Sequence, residues 1–195
     1  MIVTSPQGGV PVGILEEQLV ITTPIQGVLE LVGRIVHDPR GSFQNLFRRE
    51  ECQQIWGDRP IEQINRSRTR TVGAIRGLHL QHQPWQEAKL VRCLQGRVWD
   101  VAVDLRDGSP TYGHWHGVDL VPEQGNALLI PEGCAHGFQV LEPSSELLYL
   151  HSAPYRPEEE TGVLWCDDDL AVAWPLAATD LSERDKRLPR LQDRK

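Results

Sequence analysis

From Thr23 onward, short runs of β-branched and apolar residues alternate with clusters of turn-forming residues. The clusters are Asp38-Pro39-Arg40-Gly41, Asp107-Gly108-Ser109-Pro110 and Pro143-Ser144-Ser145. This spacing is typical of an all-β sandwich or barrel, because such clusters end one strand and reverse the chain into the next. The clearest strand runs from Val98 to Leu105, where alternation gives one apolar face and one face that mixes in carboxylates. A jelly-roll barrel with a few short helices is therefore the predicted fold.

The chain length and the two ends set the predicted domain organisation. With 195 residues, one domain with a full core is expected. Residues 1–17 are rich in Gly and Pro and show no periodicity, so they predict a loose N-terminal extension before a single domain over 18–195. The stretch from Leu181 to Leu191, with its charges and Pro189, predicts a short helical tail.

Composition narrows the class of partners. The net charge of -7 is spread along the chain with both signs and no basic stripe, so neither nucleic acid nor an anionic membrane is an expected partner. The sequence shows no signal-peptide pattern and no run near the roughly 20 apolar residues that span a bilayer, which predicts a cytoplasmic protein. The four cysteines are scattered and predict buried thiols, not disulfides or a zinc site: Cys52, Cys93, Cys134 and Cys166.

A glycine-framed segment from Gly73 to Gly96 carries the clearest functional signal. Small barrels of the cupin type hold a metal with two His and one Glu in a first motif and a third His in a second motif. Here the glycines and His79 are kept, but Gln81 and Lys89 stand near the positions of the other ligands. A charged lysine has donors only and cannot bind a metal, so the segment predicts a site without metal or cofactor, suited to an anion or a polarised carbonyl.

The second motif is more regular and adds one histidine. Gly125, Pro131 and Gly133 frame His136 at the spacing of a cupin motif. The remaining histidines lie in turn-like stretches or outside both motifs and are expected at the surface: His37, His82, His114, His116 and His151.

Strand alternation predicts which side chains share the barrel mouth. His79 and Gln81 fall on the face of Gly77, whereas Arg76 points the other way. For Arg76 and His79 to meet one ligand the strand must bend, and Gly77 is the residue that permits a bulge there.

Several candidate residues also have ordinary structural interpretations. Lys89 fits a strand-end lysine in solvent, and Tyr149 fits a core aromatic with a hydrogen-bonded hydroxyl. Asp185 follows Ser182 at the spacing of a helix N-cap pair, and spacing alone favours that cap.

Taken together, the motifs resemble one known family, the dTDP-4-dehydrorhamnose 3,5-epimerases. The resemblance runs from about Thr23 to Leu191 in the same order. It rests on Asp38-Pro39-Arg40-Gly41-Ser42-Phe43, Arg76-Gly77-Leu78-His79-Leu80-Gln81, Lys89-Leu90-Val91, Asp100-Val101-Ala102-Val103-Asp104-Leu105-Arg106, Pro131-Glu132-Gly133-Cys134-Ala135-His136-Gly137-Phe138, Tyr149, Tyr155, Trp165, Trp174-Pro175, Leu181-Ser182 and Asp185. It implies a dimeric, metal-independent cupin-type jelly roll that acts on a nucleotide-linked 4-keto-6-deoxyhexose.

The resemblance implies a role for each catalytic candidate. His79 would remove a proton from the carbon next to the ketone, and Asp185 would orient its imidazole. Tyr149 would return a proton on the opposite ring face, which inverts the centre. Lys89 would stabilise the enolate oxygen.

The family's binding residues match positions spread over the chain. Arg76 and His136 would hold substrate and phosphate oxygens. The other positions assigned to substrate binding are Gln63, Asn65, Ser67, Gln81 and Tyr155. Arg40 and Phe43 match an element that reaches the nucleotide in the neighbouring subunit of a homodimer. Asn45 stands where members of the family carry a Glu against the nucleobase, and an amide both donates and accepts where a carboxylate only accepts.

Three alternatives stay open at this point. A ketoisomerase of similar fold would move the carbonyl instead of inverting a carbon. A metal-dependent cupin would use His79, His82 and His136 as ligands. A binding module without turnover would keep the nucleotide-sugar pocket alone.

Overall fold

The computed structural model describes residues 11–15 and 18–194, and most of their regular structure is β. Fourteen strands are assigned within these residues. They are β1 (Pro11–Leu15), β2 (Gln18–Thr22), β3 (Leu29–Gly33), β4 (Ile35–Asp38), β5 (Gly41–Gln44), β6 (Gln63–Thr69), β7 (Ile75–Gln81), β8 (Lys89–Gln95), β9 (Val98–Asp104), β10 (Trp115–Leu120), β11 (Asn126–Ile130), β12 (Cys134–Val140), β13 (Ser145–His151) and β14 (Glu160–Gly162).

Antiparallel pairing arranges these strands in two sheets and one hairpin. The larger sheet has the order β1-β2-β3-β11-β8-β13-β6, and the smaller has the order β10-β9-β12-β7-β14. Strands β4 and β5 form a separate hairpin. The helical elements are short: α1 (Arg49–Trp56) and the 3-10 turns Pro122–Gln124, Pro157–Glu159, Asp185–Arg187 and Leu191–Asp193. The predicted all-β class with a few short helices is confirmed.

Strand β9 shows how alternation builds three packed layers. Val98 and Ala102 face inward and join the apolar cluster between the two sheets. Val101 and Val103 face outward and join a cluster under the C-terminal segment, with Leu191 among its members. The outward face of the larger sheet is covered by α1 in the same way, through buried side chains of the helix. Both sheets therefore pack apolar residues on their outer faces as well as between them.

The predicted turns fall between strands, and the C-terminal tail differs from expectation. The predicted extension lies partly outside the described residues, but Pro11–Leu15 pairs with β2 as an edge strand of the larger sheet. The division into extension and domain stays a prediction. The tail is not one helix, because Pro189 separates two single 3-10 turns.

Two further predictions can be compared with the fold. Cys52, Cys93 and Cys134 are buried thiols as expected, whereas Cys166 is exposed, which corrects the prediction for that residue. Among the residues described, no helix combines the length and the apolar character that crossing a bilayer requires.

Candidate active site

A cavity of about 480 Å³ lies between the two sheets, and most of the predicted site residues line it. His79 on β7 and His136 on β12 line the wall formed by the smaller sheet. Lys89 on β8 and Tyr149 on β13 line the wall formed by the larger sheet. The candidate base and the candidate acid therefore project from opposing walls.

His79 is held by a carboxylate from the C-terminal segment. Its Nε2 lies 2.9 Å from Oδ1 of Asp185. Burial of Asp185 favours the neutral acid, but the hydrogen bond and charge of His79, helped by Ser182 and Gly77, outweigh burial and lower the pKa of Asp185 to about 2. The amide of Asp185 also donates to Oγ of Ser182, at 3.0 Å. The capping interaction and the partnership with His79 thus coexist in one residue.

The predicted bulge at Gly77 is present. Between two cross-strand pairs, β7 advances from Arg76 to His79 while β12 advances only from Phe138 to His136, which leaves one extra residue in β7. Gly77 has a φ of +127°, and a Cβ there would lie 2.5 Å from Cα of Gly137. The bulge lets both Arg76 and His79 line an adjoining pocket of about 420 Å³.

Tyr149 is half-buried by surface area, but the cavity walls enclose its hydroxyl. That hydroxyl lies 2.9 Å from Oγ of Ser67. The ring makes an edge contact with His136 and stacks on His151, at centroid distances of 6.0 and 5.9 Å. Burial raises the pKa of Tyr149 well above its ordinary value, and the charge of Asp100 adds to the effect. Tyr149 is consequently a neutral phenol that can donate a proton at neutral pH.

Lys89 is buried and paired, which contradicts its interpretation as a solvent-exposed strand end. Only 7% of the residue is exposed. Its Nζ lies 3.0 Å from Oε1 of Glu87 and donates to the carbonyl of His79 at 3.3 Å. Gln81 also lines the cavity, but its amide is engaged by protein groups, including Oε2 of Glu87 at 2.5 Å.

His136 is fixed by a second carboxylate. Its Nε2 lies 2.8 Å from Oδ1 of Asp100, a fully buried residue on the inward, mixed face of β9. Burial raises the pKa of Asp100, against the lowering effect of His136. Asp100, which alternation predicted on this face of β9, therefore holds His136 in place through a hydrogen bond.

Three predicted binding residues alternate along the inner face of edge strand β6. Nε2 of Gln63 donates to Oδ1 of Asn65 at 2.9 Å, and the next inward residue, Ser67, contacts Tyr149. Oε1 of Gln63 accepts from the amide of Tyr155 at 2.9 Å. The side chains of Asn65, Ser67 and Tyr155 line the cavity, with Gln63 behind them.

The residues predicted to reach the nucleotide lie on the β4–β5 hairpin, outside this cavity. Arg40 is exposed, and within the described part of the chain its ion pair is with Asp38 of its own turn, at 2.5 Å. Phe43 is 72% exposed. Oδ1 of Asn45 accepts from the amide of Phe47. The structure does not bring Arg40, Phe43 or Asn45 to the cavity of their own chain.

Several residues of the site were missed by the sequence analysis. Glu160 on β14 pairs with Arg184, and the hydroxyl of Tyr155 donates to Glu160 at 2.8 Å. Arg184 also lies 3.3 Å from Nε2 of His79. The other missed residues of the cavity wall are Ile64, Arg66, Leu80, Glu87 and His151. The sequence pointed to two of them only through their positions, since Glu87 lies near Lys89 and Arg184 directly precedes Asp185.

Two of the five histidines expected at the surface were assigned wrongly. His116 is buried, with Nε2 2.7 Å from Oε1 of Glu30. His151 lines the cavity, and burial lowers its pKa to about 4, with the charge of Lys89 adding to the effect. His37, His82 and His114 are exposed as expected.

The ligand set of the metal-dependent alternative does not assemble. His79 and His136 line the cavity, but His82 is exposed and is absent from its walls. Over residues 11–15 and 18–194, no group of three His, Cys, Asp or Glu side chains is arranged to hold a metal ion.

Comparison with known proteins gives one consistent answer. A family model described as dTDP-4-dehydrorhamnose 3,5-epimerase matches residues 22–193. A curated enzyme of that name from Shigella flexneri is 42% identical over 168 residues, which is 85% of this chain and 92% of the relative.

Solved structures agree with the sequence matches. The dTDP-6-deoxy-D-glucose-3,5-epimerase RmlC from Legionella pneumophila, in complex with dTDP-4-keto-L-rhamnose, is similar with a TM-score of 0.86 and 38% identity over 90% of this chain and 93% of that one. NovW, a 4-keto-6-deoxy sugar epimerase from Streptomyces spheroides, is similar with a TM-score of 0.86 and 36% identity over 94% of this chain and 91% of that one.

Proposed function

Because the chain belongs to the dTDP-4-dehydrorhamnose 3,5-epimerase family, we propose that its cavity binds a nucleotide-diphospho 4-keto-6-deoxyhexose and inverts C3, C5 or both. The protein is an isomerase of the carbohydrate epimerase class. The Legionella relative in complex with dTDP-4-keto-L-rhamnose supports this substrate class.

His79 is the proposed base. The tautomer that donates Nε2–H to Asp185 leaves Nδ1 as the proton acceptor. When His79 takes the proton from the carbon next to the ketone, the electrons of the C–H bond move into an enolate. The anionic Asp185 then stabilises the imidazolium, because opposite charges at hydrogen-bond distance favour the charged form.

Tyr149 is the proposed acid. The observation that carries the proposal is the placement of His79 and Tyr149 on opposing sheets of one cavity. A ring held between them loses a proton on one face and gains one on the other, and this inverts the carbon. Because Tyr149 stays protonated at neutral pH, it is ready to donate when the enolate collapses.

Lys89 is the proposed electrostatic partner of the enolate oxygen. Its ammonium is fixed in a buried position before the reaction begins, so no reorganisation is required when negative charge develops. A preorganised charge of this kind lowers a barrier by about 3 kcal/mol. His136 and Arg76 are proposed to hold substrate and phosphate oxygens.

Exchange with solvent deuterium tests the reaction class. Incubating the enzyme with dTDP-4-keto-6-deoxyglucose in deuterium oxide is expected to place deuterium at C3, C5 or both, since each inversion passes through an enolate. NMR of the product measures the label and the configuration. Absence of label with every nucleotide-keto sugar tried would falsify the proposal.

The same spectra separate the alternatives. A ketoisomerase would shift the carbonyl from C4 to C3, and a binding module would leave the sugar unlabelled while the nucleotide still binds. Metal chemistry predicts that chelation abolishes the exchange, whereas the proposed mechanism predicts full exchange after chelation.

We further propose that the active unit is a homodimer in which the hairpin of one chain completes the site of the other. The exposed Phe43 and Val36 form a cross-strand pair within the hairpin, and an exposed apolar pair of this kind favours burial against a partner. Arg40, free of the cavity of its own chain, would then supply a guanidinium to the diphosphate of the neighbouring site.

Mixed dimers test this arrangement. Arg40→Glu and His79→Asn are each expected to be nearly inactive alone, for different reasons. After random subunit exchange, half of the dimers are hybrids with one intact site of two, so about a quarter of wild-type kcat should return. The control is the same mixture without exchange. No recovery after verified exchange would show that each site is made by one chain.

A further inference from the structure

The ammonium of Lys89 is held by a chain of buried polar groups that the epimerisation steps above do not use. Glu87 lies before β8 and is 9% exposed, and Gln81 is 3% exposed. One carboxylate oxygen of Glu87 lies 3.0 Å from Nζ of Lys89, and the other accepts from Nε2 of Gln81 at 2.5 Å. The two oxygens of Glu87 therefore bridge Lys89 and Gln81.

Gln81 is itself held by backbone groups. Its Nε2 has two N–H donors, and the one not used on Glu87 is shared between the carbonyls of Trp85 and Pro154, at 2.7 and 3.2 Å. Its Oε1 accepts from the amide of Arg156 at 2.5 Å. With these contacts the side-chain amide has no freedom to rotate, so it gives Glu87 a fixed partner.

A count of donors shows what this arrangement leaves for the substrate. An ammonium has three N–H donors. Lys89 uses one on Glu87 and one on the carbonyl of His79, which leaves a single donor for a cavity ligand. The same contact to His79 fixes the ammonium relative to the strand that carries the base.

Only a carboxylate at position 87 satisfies both neighbours. Lys89 and Gln81 each present an N–H to Glu87, and a carboxylate accepts from both. An amide has one oxygen, so its N–H₂ would face either Lys89 or Gln81, donor against donor. A buried ammonium also needs a nearby negative charge to stay protonated.

We propose that Glu87 is a positioning residue for the epimerisation: its carboxylate, clamped by Gln81, holds the Lys89 ammonium in place and charged for the enolate oxygen. This inference rests on the proposed role of Lys89. It also assigns Gln81 to the support of Lys89 and not to direct contact with the sugar.

The charge of Lys89 depends on all of its titratable neighbours. These are Glu87 before β8, His79 on β7, Asp100 on β9, His136 on β12, Tyr149 and His151 on β13, and two further charged residues that line the same cavity, Glu160 on β14 and Arg184. Asp100 is buried behind His136, and Tyr149 is neutral, so Glu87 is the carboxylate in direct contact. Removing its charge takes away the negative partner that favours the ammonium form.

Two variants test the proposal with dTDP-4-keto-6-deoxyglucose as the probe. Glu87→Gln is expected to lower kcat about tenfold with KM changed less than about threefold, and to move the alkaline limb of the kcat profile down by about one pH unit. Glu87→Asp keeps the charge but withdraws it by about 1.5 Å, so kcat should fall about fivefold with the alkaline limb unmoved. Nucleotide binding by calorimetry and thermal melting establish that each variant is folded.

The outcomes distinguish a failure of the proposed function from a failure of the role of Lys89 or of Glu87. Wild-type protein without turnover contradicts the proposed function, and full turnover by Lys89→Met contradicts the role of Lys89. If both hold, Glu87→Gln with kcat within twofold of wild type and an unmoved alkaline limb overturns the role of Glu87. Should Glu87→Gln not fold, Glu87→Asp decides, since undiminished kcat in that variant overturns it equally.

Discussion

Replacing His79 by asparagine is expected to lower kcat by about 10³-fold while the nucleotide sugar still binds. Asparagine is smaller than histidine and adds no charge, although its amide is too short to reach Asp185 as Nε2 does. It has no basic nitrogen, and the proton next to the ketone then has no acceptor. Product NMR and deuterium exchange at saturating substrate measure the loss, and calorimetry with dTDP measures the binding that remains.

His82→Asn is the matched control. His82 lies three residues further along the same segment, is exposed, and donates only its backbone amide, to the carbonyl of Glu159. Its replacement is expected to leave kcat within about twofold. The pair also separates two chemistries, because the metal-dependent alternative needs both histidines as ligands. Equal losses in the two variants would support the metal site, and an undiminished His79→Asn would remove His79 as the base.

Strand alternation predicted site residues correctly at positions where the local backbone alone determines the direction of the side chain. Alternation on β7 placed His79 on the face of Gly77, and the glycine itself predicted the bulge that lets Arg76 and His79 line one pocket. Alternation on β9 placed Asp100 on the mixed face, which is the inward one. These inferences succeed because the period of two is a property of the backbone and is independent of the partner strand.

The same pattern could not say which strand faces lie beneath another layer. His116 and His151 were expected at the surface, yet one is buried against Glu30 and the other forms part of the cavity wall. Burial at these positions depends on which distant strands become neighbours. That information comes from the order of strands in each sheet, which single-chain periodicity does not contain.

Contacts between residues far apart in the chain could not be predicted from the sequence pattern either. Glu160 and Arg184 are 24 positions apart and meet only because β14 joins the edge of the smaller sheet and the C-terminal segment crosses its outer face. The Asp185 partnership with His79 spans 106 positions. The local signal at Asp185 predicted a cap with Ser182, which is present, and the resemblance to a family supplied the second role.

Replacing Tyr149 by phenylalanine is expected to stop net inversion, with the rate of epimerisation down by about 10³-fold, while exchange of the sugar proton with solvent continues. His79 can still remove the proton and return one to the same face, because its wall of the cavity is untouched. Without the phenol, the opposing wall lacks the acid proposed to protonate the other face, and the ammonium of Lys89 on that wall is held by Glu87 and the carbonyl of His79 for the enolate oxygen. The variant should therefore incorporate deuterium at the original configuration, which NMR distinguishes from inversion.

The chain offers a close control for this result. Tyr112 is one of only three tyrosines and lies outside the cavity, so Tyr112→Phe removes the same hydroxyl without touching the site. Its epimerisation rate should stay within about twofold of wild type. Inversion at the wild-type rate in Tyr149→Phe would mean that another group protonates the second face. Loss of exchange together with inversion would instead place Tyr149 in the first step, on the side of the base.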